Sequence, residues 1–114
     1  MARVIIIGFD GVVALDMVGP SDVFASVVDS PYTVVFASSG GGQRRCASGL
    51  CVATQDLMRL RPHSTDTVIV AGGEEDALRA AVADTQLLRW ITRAAKVVQR
   101  VASVCSGAFV LASA

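Results

Sequence analysis

The chain has 114 residues, and its ten basic and ten acidic side chains cancel. It is therefore one domain at most, with no net charge to gather a polyanion, and its basic residues are not clustered for nucleic-acid binding. It is 53% hydrophobic but only 5% aromatic, with a mean hydropathy of +0.56, the bias of an α/β protein rich in Val, Ala and Ile.

No apolar run approaches the roughly 18 residues that a membrane span needs, because charges or glycines interrupt each one. The opening stretch, MARVIIIGFDG, is too short for a signal peptide and lacks a small-residue cleavage site. A cytoplasmic protein is expected. Val4–Ile7, wholly apolar and β-branched before Gly8, reads instead as a strand buried on both faces. Gly19-Pro20, followed by Ser21 and Asp22, predicts a helix from about Pro20 to Val28. A second strand follows Pro31 in YTVVFAS. Gly40, Gly41 and Gly42 form a turn and not a phosphate loop, since they lead into Gln43 and Arg44 and not into Gly-Lys-Ser/Thr. RRCASGLCVATQ predicts two short strands around Ser48-Gly49, and Thr67–Val70 predicts another, closed by Ala71-Gly72-Gly73. Glu74 and Glu75 after that turn read as first-turn acids of a helix. Leu87, Leu88, Ile91, Ala94, Ala95 and Val98 recur with helical period behind a candidate N-cap, Asp84. Arg89, Arg93, Lys96 and Arg100 lie off that stripe, as a solvated face does. Val101–Val104 is a last strand, and Gly107–Ala114 opens a last helix. Strands alternating with helices predict a three-layer α/β/α domain on a mostly parallel, flavodoxin-like sheet.

Cys46, Cys51 and Cys105, with a single histidine, match no zinc spacing, so no metal or cofactor is expected. A Cys46–Cys51 disulfide is conceivable on a hairpin, but a reducing cytosol disfavours it. Cys105 stands where a buried strand turns into a helix. A strand–nucleophile–helix turn strains its central residue and requires small neighbours. Ser103, Ser106, Gly107 and Ala108 supply them. The field at the helix start favours thiolate, and the first-turn N–H groups can hold an oxyanion or a ligand carboxylate. The same residue also reads as a small buried apolar side chain, a common use of free cysteine.

SVCSGAFVLASA, GFDGVVALDMVGPSDVF and VIVAGG, in this chain, together resemble the ThiJ/PfpI superfamily, a branch of the class I glutamine amidotransferase-like fold. The resemblance covers the whole chain. It is nearest to the amidase-like N-terminal domain of AraC-type transcriptional regulators (the GlxA group) and next to isocyanide hydratase-like enzymes. It implies that Cys105 is the elbow residue and that Asp16, in LDMVGP, is the acidic position beside it. It also implies that Gly72 and Gly73 form a turn whose backbone faces the pocket, with Ala71 in place of that family's proline. Ser106 would then donate a hydrogen bond. Asp16 as a turn or cap residue, and the glycines as a plain strand-end turn, are the structural alternatives. A carboxylate near a thiol disfavours thiolate, so Asp16 and Cys105 make sense as an acid–nucleophile couple or as a polar ligand clamp. His63 is a poor general base, because relatives with a Cys–His pair take the histidine from beyond the elbow.

In those relatives the chain runs on past the elbow, and in the regulators into a helix-turn-helix. The expectation is that these residues are the N-terminal portion of one such domain, truncated after the elbow, or a chain that hides its open edge and the Phe109, Val110 and Leu111 face in a homo-oligomer. The resemblance then implies a small-molecule-sensing domain of an AraC-type regulator, with no nucleic acid contacted by these residues. The alternative is a cysteine-dependent hydratase or hydrolase, with Cys105 as nucleophile and Asp16 as acid/base. A fold kept only for dimerisation is a third reading.

Overall fold

A computed structural model describes residues 2–114. Six strands form one sheet: β1 (Ala2–Ile7), β2 (Tyr32–Ser38), β3 (Gly42–Arg45), β4 (Cys51–Asp56), β5 (Thr67–Val70) and β6 (Arg100–Ser103). Their order is β3-β4-β2-β1-β5-β6. Every neighbouring pair is parallel except β3–β4, the hairpin around Ser48-Gly49.

Four helices cover the sheet: α1 (Ala14–Ala25), α2 (Glu75–Ala83), α3 (Thr85–Ala95) and α4 (Gly107–Ser113). Because successive strand residues point to opposite faces, the central strands feed two cores. Ile5, Ile7, Val68 and Val70 pack with Ala81 of α2, Trp90 and Ile91 of α3 and Val110 of α4. Val4, Ile6, Ile69 and Ala71 pack with Met17 of α1 and Val12. This is the expected three-layer α/β arrangement, with α1 alone on one face.

The predicted helix over 20–28 is corrected. α1 begins at Ala14, ends at Ala25, and carries Pro20 inside it. Proline has no N–H to give the Asp16 carbonyl and is unfavourable within a helix, but tertiary contacts outweigh that local signal. The Val13 N–H donates to the Gly72 carbonyl at 2.9 Å, and Met17, fully buried, anchors the first turns to the sheet. Past the helix, Asp29 takes a positive φ of 51° and turns the chain into β2. Asp84 caps α3 as expected, its carboxylate accepting from the Leu87 N–H at 3.1 Å. Glu74, Glu75 and Asp76 sit at the start of α2, where acids favour a helix. The last strand starts and ends one residue earlier than expected, and all four of its residues are exposed at the sheet edge. On α4, Val110 is fully buried while Phe109 stays 66% exposed. Among the described residues no helix is long and apolar enough to cross a membrane.

Candidate functional site

Three adjacent parallel strands, β1, β5 and β6, end side by side at one edge of the sheet. From β1 the chain moves outward to β2 on one side and later returns to β5 on the other. In an open α/β sheet the crevice at such a reversal, beyond the carboxyl ends of the strands, is where ligands bind. The residues that follow these strands are Asp16 in the first turn of α1, Gly72-Gly73 after β5, and Cys105-Ser106 after β6.

At the elbow the Val104 N–H donates to the Val70 carbonyl at 2.9 Å, holding the end of β6 to β5. The Gly107 N–H then donates back to the Val104 carbonyl at 3.0 Å, closing a four-residue turn with Cys105 and Ser106 at its centre. Cys105 has a φ of +52°, the left-handed region that a non-glycine residue enters at a cost of about 1–3 kcal/mol. Gly107 is required because a Cβ there would run into the Val70 carbonyl oxygen. The thiol is exposed, so the reading of Cys105 as a small buried apolar residue does not hold.

The other site residues meet beneath this turn. Asp16, 7% exposed, accepts from the Gly72 N–H on Oδ2 at 3.0 Å. The Ser106 hydroxyl accepts from the Gly73 N–H at 3.1 Å and donates to the Gly73 carbonyl at 2.9 Å. A Cβ on Gly72 would lie 2.7 Å from Ser106 Oγ and 3.0 Å from Asp16 Oδ2, so only glycine lets the three groups converge. Asp16 and Ser106 thus fasten the Gly72-Gly73 turn under the cysteine, one from α1 and one from the elbow. The Cys105 thiol itself makes no hydrogen bond among the described residues, to Asp16 or to any other group.

Neither remaining cysteine belongs to the site. Cys46 is buried, and burial first, then the charge of Cys51, pushes its thiol up from the usual value. Cys51 is exposed on β4, and both are free thiols. His63 lies at the opposite end of β5. Its backbone N–H donates to Asp66 at 2.8 Å, just before the strand begins. Among the described residues no group of three or more His, Cys, Asp or Glu side chains is placed to hold a metal ion.

One neighbouring feature escaped the sequence reading. A cavity of about 150 Å³ opens beyond β1 and β2, lined by Phe9, Ser38, Arg44, three alanines of α2 (Ala77, Ala80, Ala81) and Leu87 of α3. Arg44 spans its rim, bonded to the Ser38 hydroxyl at 2.9 Å, the Ser39 carbonyl at 2.6 Å and Asp10 at 3.2 Å. No local motif marks it, because its walls come from five separate parts of the chain: the loop after β1, and β2, β3, α2 and α3.

A family model described as the DJ-1/PfpI family matches residues 2–114. An uncharacterized protein in the cpoL 5′ region of Streptomyces lividans is 37% identical over 115 residues, spanning 98% of this chain and 79% of its own. A ThiJ/PfpI family protein from Pseudomonas syringae superposes with a TM-score of 0.87 at 21% identity, covering 97% of this chain and 45% of that one. Drosophila melanogaster DJ-1beta superposes with a TM-score of 0.79 at 16% identity, covering 98% of this chain and 59% of that one. The chain thus spans about half the length of these two solved structures.

Proposed function

The chain belongs to the DJ-1/PfpI family, and from that premise we propose that it is the small-molecule-sensing portion of an AraC-type transcriptional regulator. The ligand would sit against the elbow cysteine. One observation carries this reading. The two polar side chains nearest the elbow, Asp16 and Ser106, are bonded to the Gly72-Gly73 backbone, while the exposed thiol has no bonded base. That is the arrangement of a shaped recognition surface. A bonded general base, one of the two usual means of activating a thiol nucleophile, has no counterpart among the described residues, and the helix-start field alone would have to raise its reactivity. Cys105, Ser106 and the free edge of Asp16 would then contact a small polar ligand, and the Gly72-Gly73 backbone would set its orientation. The resemblance of LDMVGPSDVF and VASVCSGAFVLA to the regulators supports the choice of this class. DNA binding would reside in another part of the full protein. Three free thiols accord with the reducing cytoplasm in which we place it, and exposed Leu15, Val23 and Phe109 accord with a homo-oligomer.

A cysteine-dependent hydratase or hydrolase is the second reading, favoured by the strained, exposed thiol at a helix start. The two separate by turnover. Small nitrogen-containing metabolites, isocyanides included, are added to the protein while melting temperature and ligand concentration are both followed. A sensor is stabilised in step with the logarithm of ligand concentration, by about 2.7 kcal/mol at a hundredfold excess over Kd, and leaves the ligand unconsumed. Consumption that disappears in Cys105→Ser would replace the sensor with the enzyme.

A further inference from the structure

At the end of the sheet opposite the elbow, a groove of about 470 Å³ runs between the segment before β5 and the second half of α3. Its floor is apolar: Met58, Leu60, Pro62, Val97 and the indole of Trp90. Trp90 is 1% exposed, and its indole N–H is already given to the Leu60 carbonyl at 3.0 Å. Nothing in that floor asks for a polar partner.

The walls are different. Arg61 stands on one side and Arg93 on the other, both exposed, and no acidic residue lines the groove. Arg59 lies two residues before Arg61 and Lys96 three after Arg93, and both are exposed too. None of these four takes part in an ion pair among the described residues; those pairs are Arg3–Asp66, Arg44–Asp10 and Arg79–Glu75. From Thr85 to Ala114 the chain carries four basic side chains and no acidic one. A basic residue in the last turn of a helix is ordinarily explained by the helix dipole. That accounts for Arg93 but not for Arg61, which lines the same groove from another segment. Two guanidiniums without an ion-pair partner among the described residues thus flank an apolar trough.

We propose that this groove is a docking site for an acidic, apolar segment of a partner protein, whose hydrophobic side chains lie on Met58, Leu60, Pro62 and Val97 above the buried Trp90 while its carboxylates pair with Arg61 and Arg93. Arg favours such pairing because its planar fork meets a carboxylate with two hydrogen bonds, and complementary charge sets both specificity and association rate. The apolar floor favours a peptide over nucleic acid, whose affinity comes from phosphates and which would leave that floor unused.

Trp90 is the single tryptophan of the chain and lies under the groove, so a change in its emission would mark binding there, while anisotropy of the labelled probe reports occupancy. The probe is a short fluorescein-labelled peptide alternating glutamate with leucine and phenylalanine, titrated at low ionic strength. Binding should shift Trp90 emission and raise anisotropy. It should weaken about tenfold or more in Arg61→Glu and in Arg93→Glu, and as much again when the apolar residues become serine. Arg45→Glu, an equal charge change on β3, should leave it unaltered. Three results would each overturn the proposal: no saturable rise in anisotropy, equal weakening by Arg45→Glu, or an oligothymidylate that binds as tightly and with the same sensitivity.

Discussion

Cys105 holds a positive φ of 52° in a turn whose first central position suits glycine. Removing that strain should therefore stabilise the protein: Cys105→Gly is expected to raise unfolding free energy by about 1 kcal/mol, read from urea midpoints, while abolishing any thiol-dependent ligand contact. A stability–function trade-off of this kind is what a functional backbone outlier implies. A neutral or destabilising result would mean that the conformation is not strained. Asp16 predicts the opposite sign. Asp16→Ala leaves the buried Gly72 N–H without its 3.0 Å acceptor, and an unsatisfied buried donor costs about 1–3 kcal/mol. The elbow was only partly legible from residues alone: a short strand, a cysteine and small neighbours are compatible with it but equally with a small buried cysteine, and the resemblance of three motifs together tipped the reading. The bonds that tie Asp16 and Ser106 to the glycine turn were not. They join positions 56 and 33 residues apart, and such distances exist only once β1, β5 and β6 are aligned.

The helices show the same division between local and long-range information. Asp84 was readable as a cap because its carboxylate reaches only three residues ahead. Asp84→Ala should cost about 1 kcal/mol, measured as the change in unfolding free energy; no loss would mean that α3 is set by its buried face alone. α1 was misplaced because Gly19-Pro20 is a strong local start signal, whereas its true start depends on Met17 meeting the sheet and Val13 meeting Gly72. That dependence has a functional side. Starting the helix at Ala14 is what puts Asp16 in its first turn and over the Gly72 N–H, so the error in the helix boundary and the invisibility of the Asp16 contact have one cause.

Across the fold, the two ends of the sheet divide their tasks. The carboxyl ends carry the elbow, and the amino ends carry the buried lock between Arg3 and Asp66. Asp66 is fully buried and meets Arg3 through two bonds of 2.7 and 3.0 Å. Burial alone would push its carboxyl up, but the Arg3 hydrogen bonds, the His63 N–H and the nearby positive charges outweigh it and hold the carboxyl below the ordinary value. As pH falls, the unfolded chain takes up this proton first. The stability that Asp66 lends is therefore full above about pH 4 and disappears as pH drops through the folded-state value. Asp66→Asn should flatten that acid limb in urea titrations at successive pH; an unchanged limb would place the acid sensitivity elsewhere. The site at the other end is tested most directly by timing iodoacetamide alkylation of each cysteine at pH 7, with peptide mass spectrometry resolving the three. Cys105 is expected to react before exposed Cys51 and long before buried Cys46, and Asp16→Asn to change its rate alone. Equal, slow labelling of all three in the folded protein would contradict a functional elbow at Cys105.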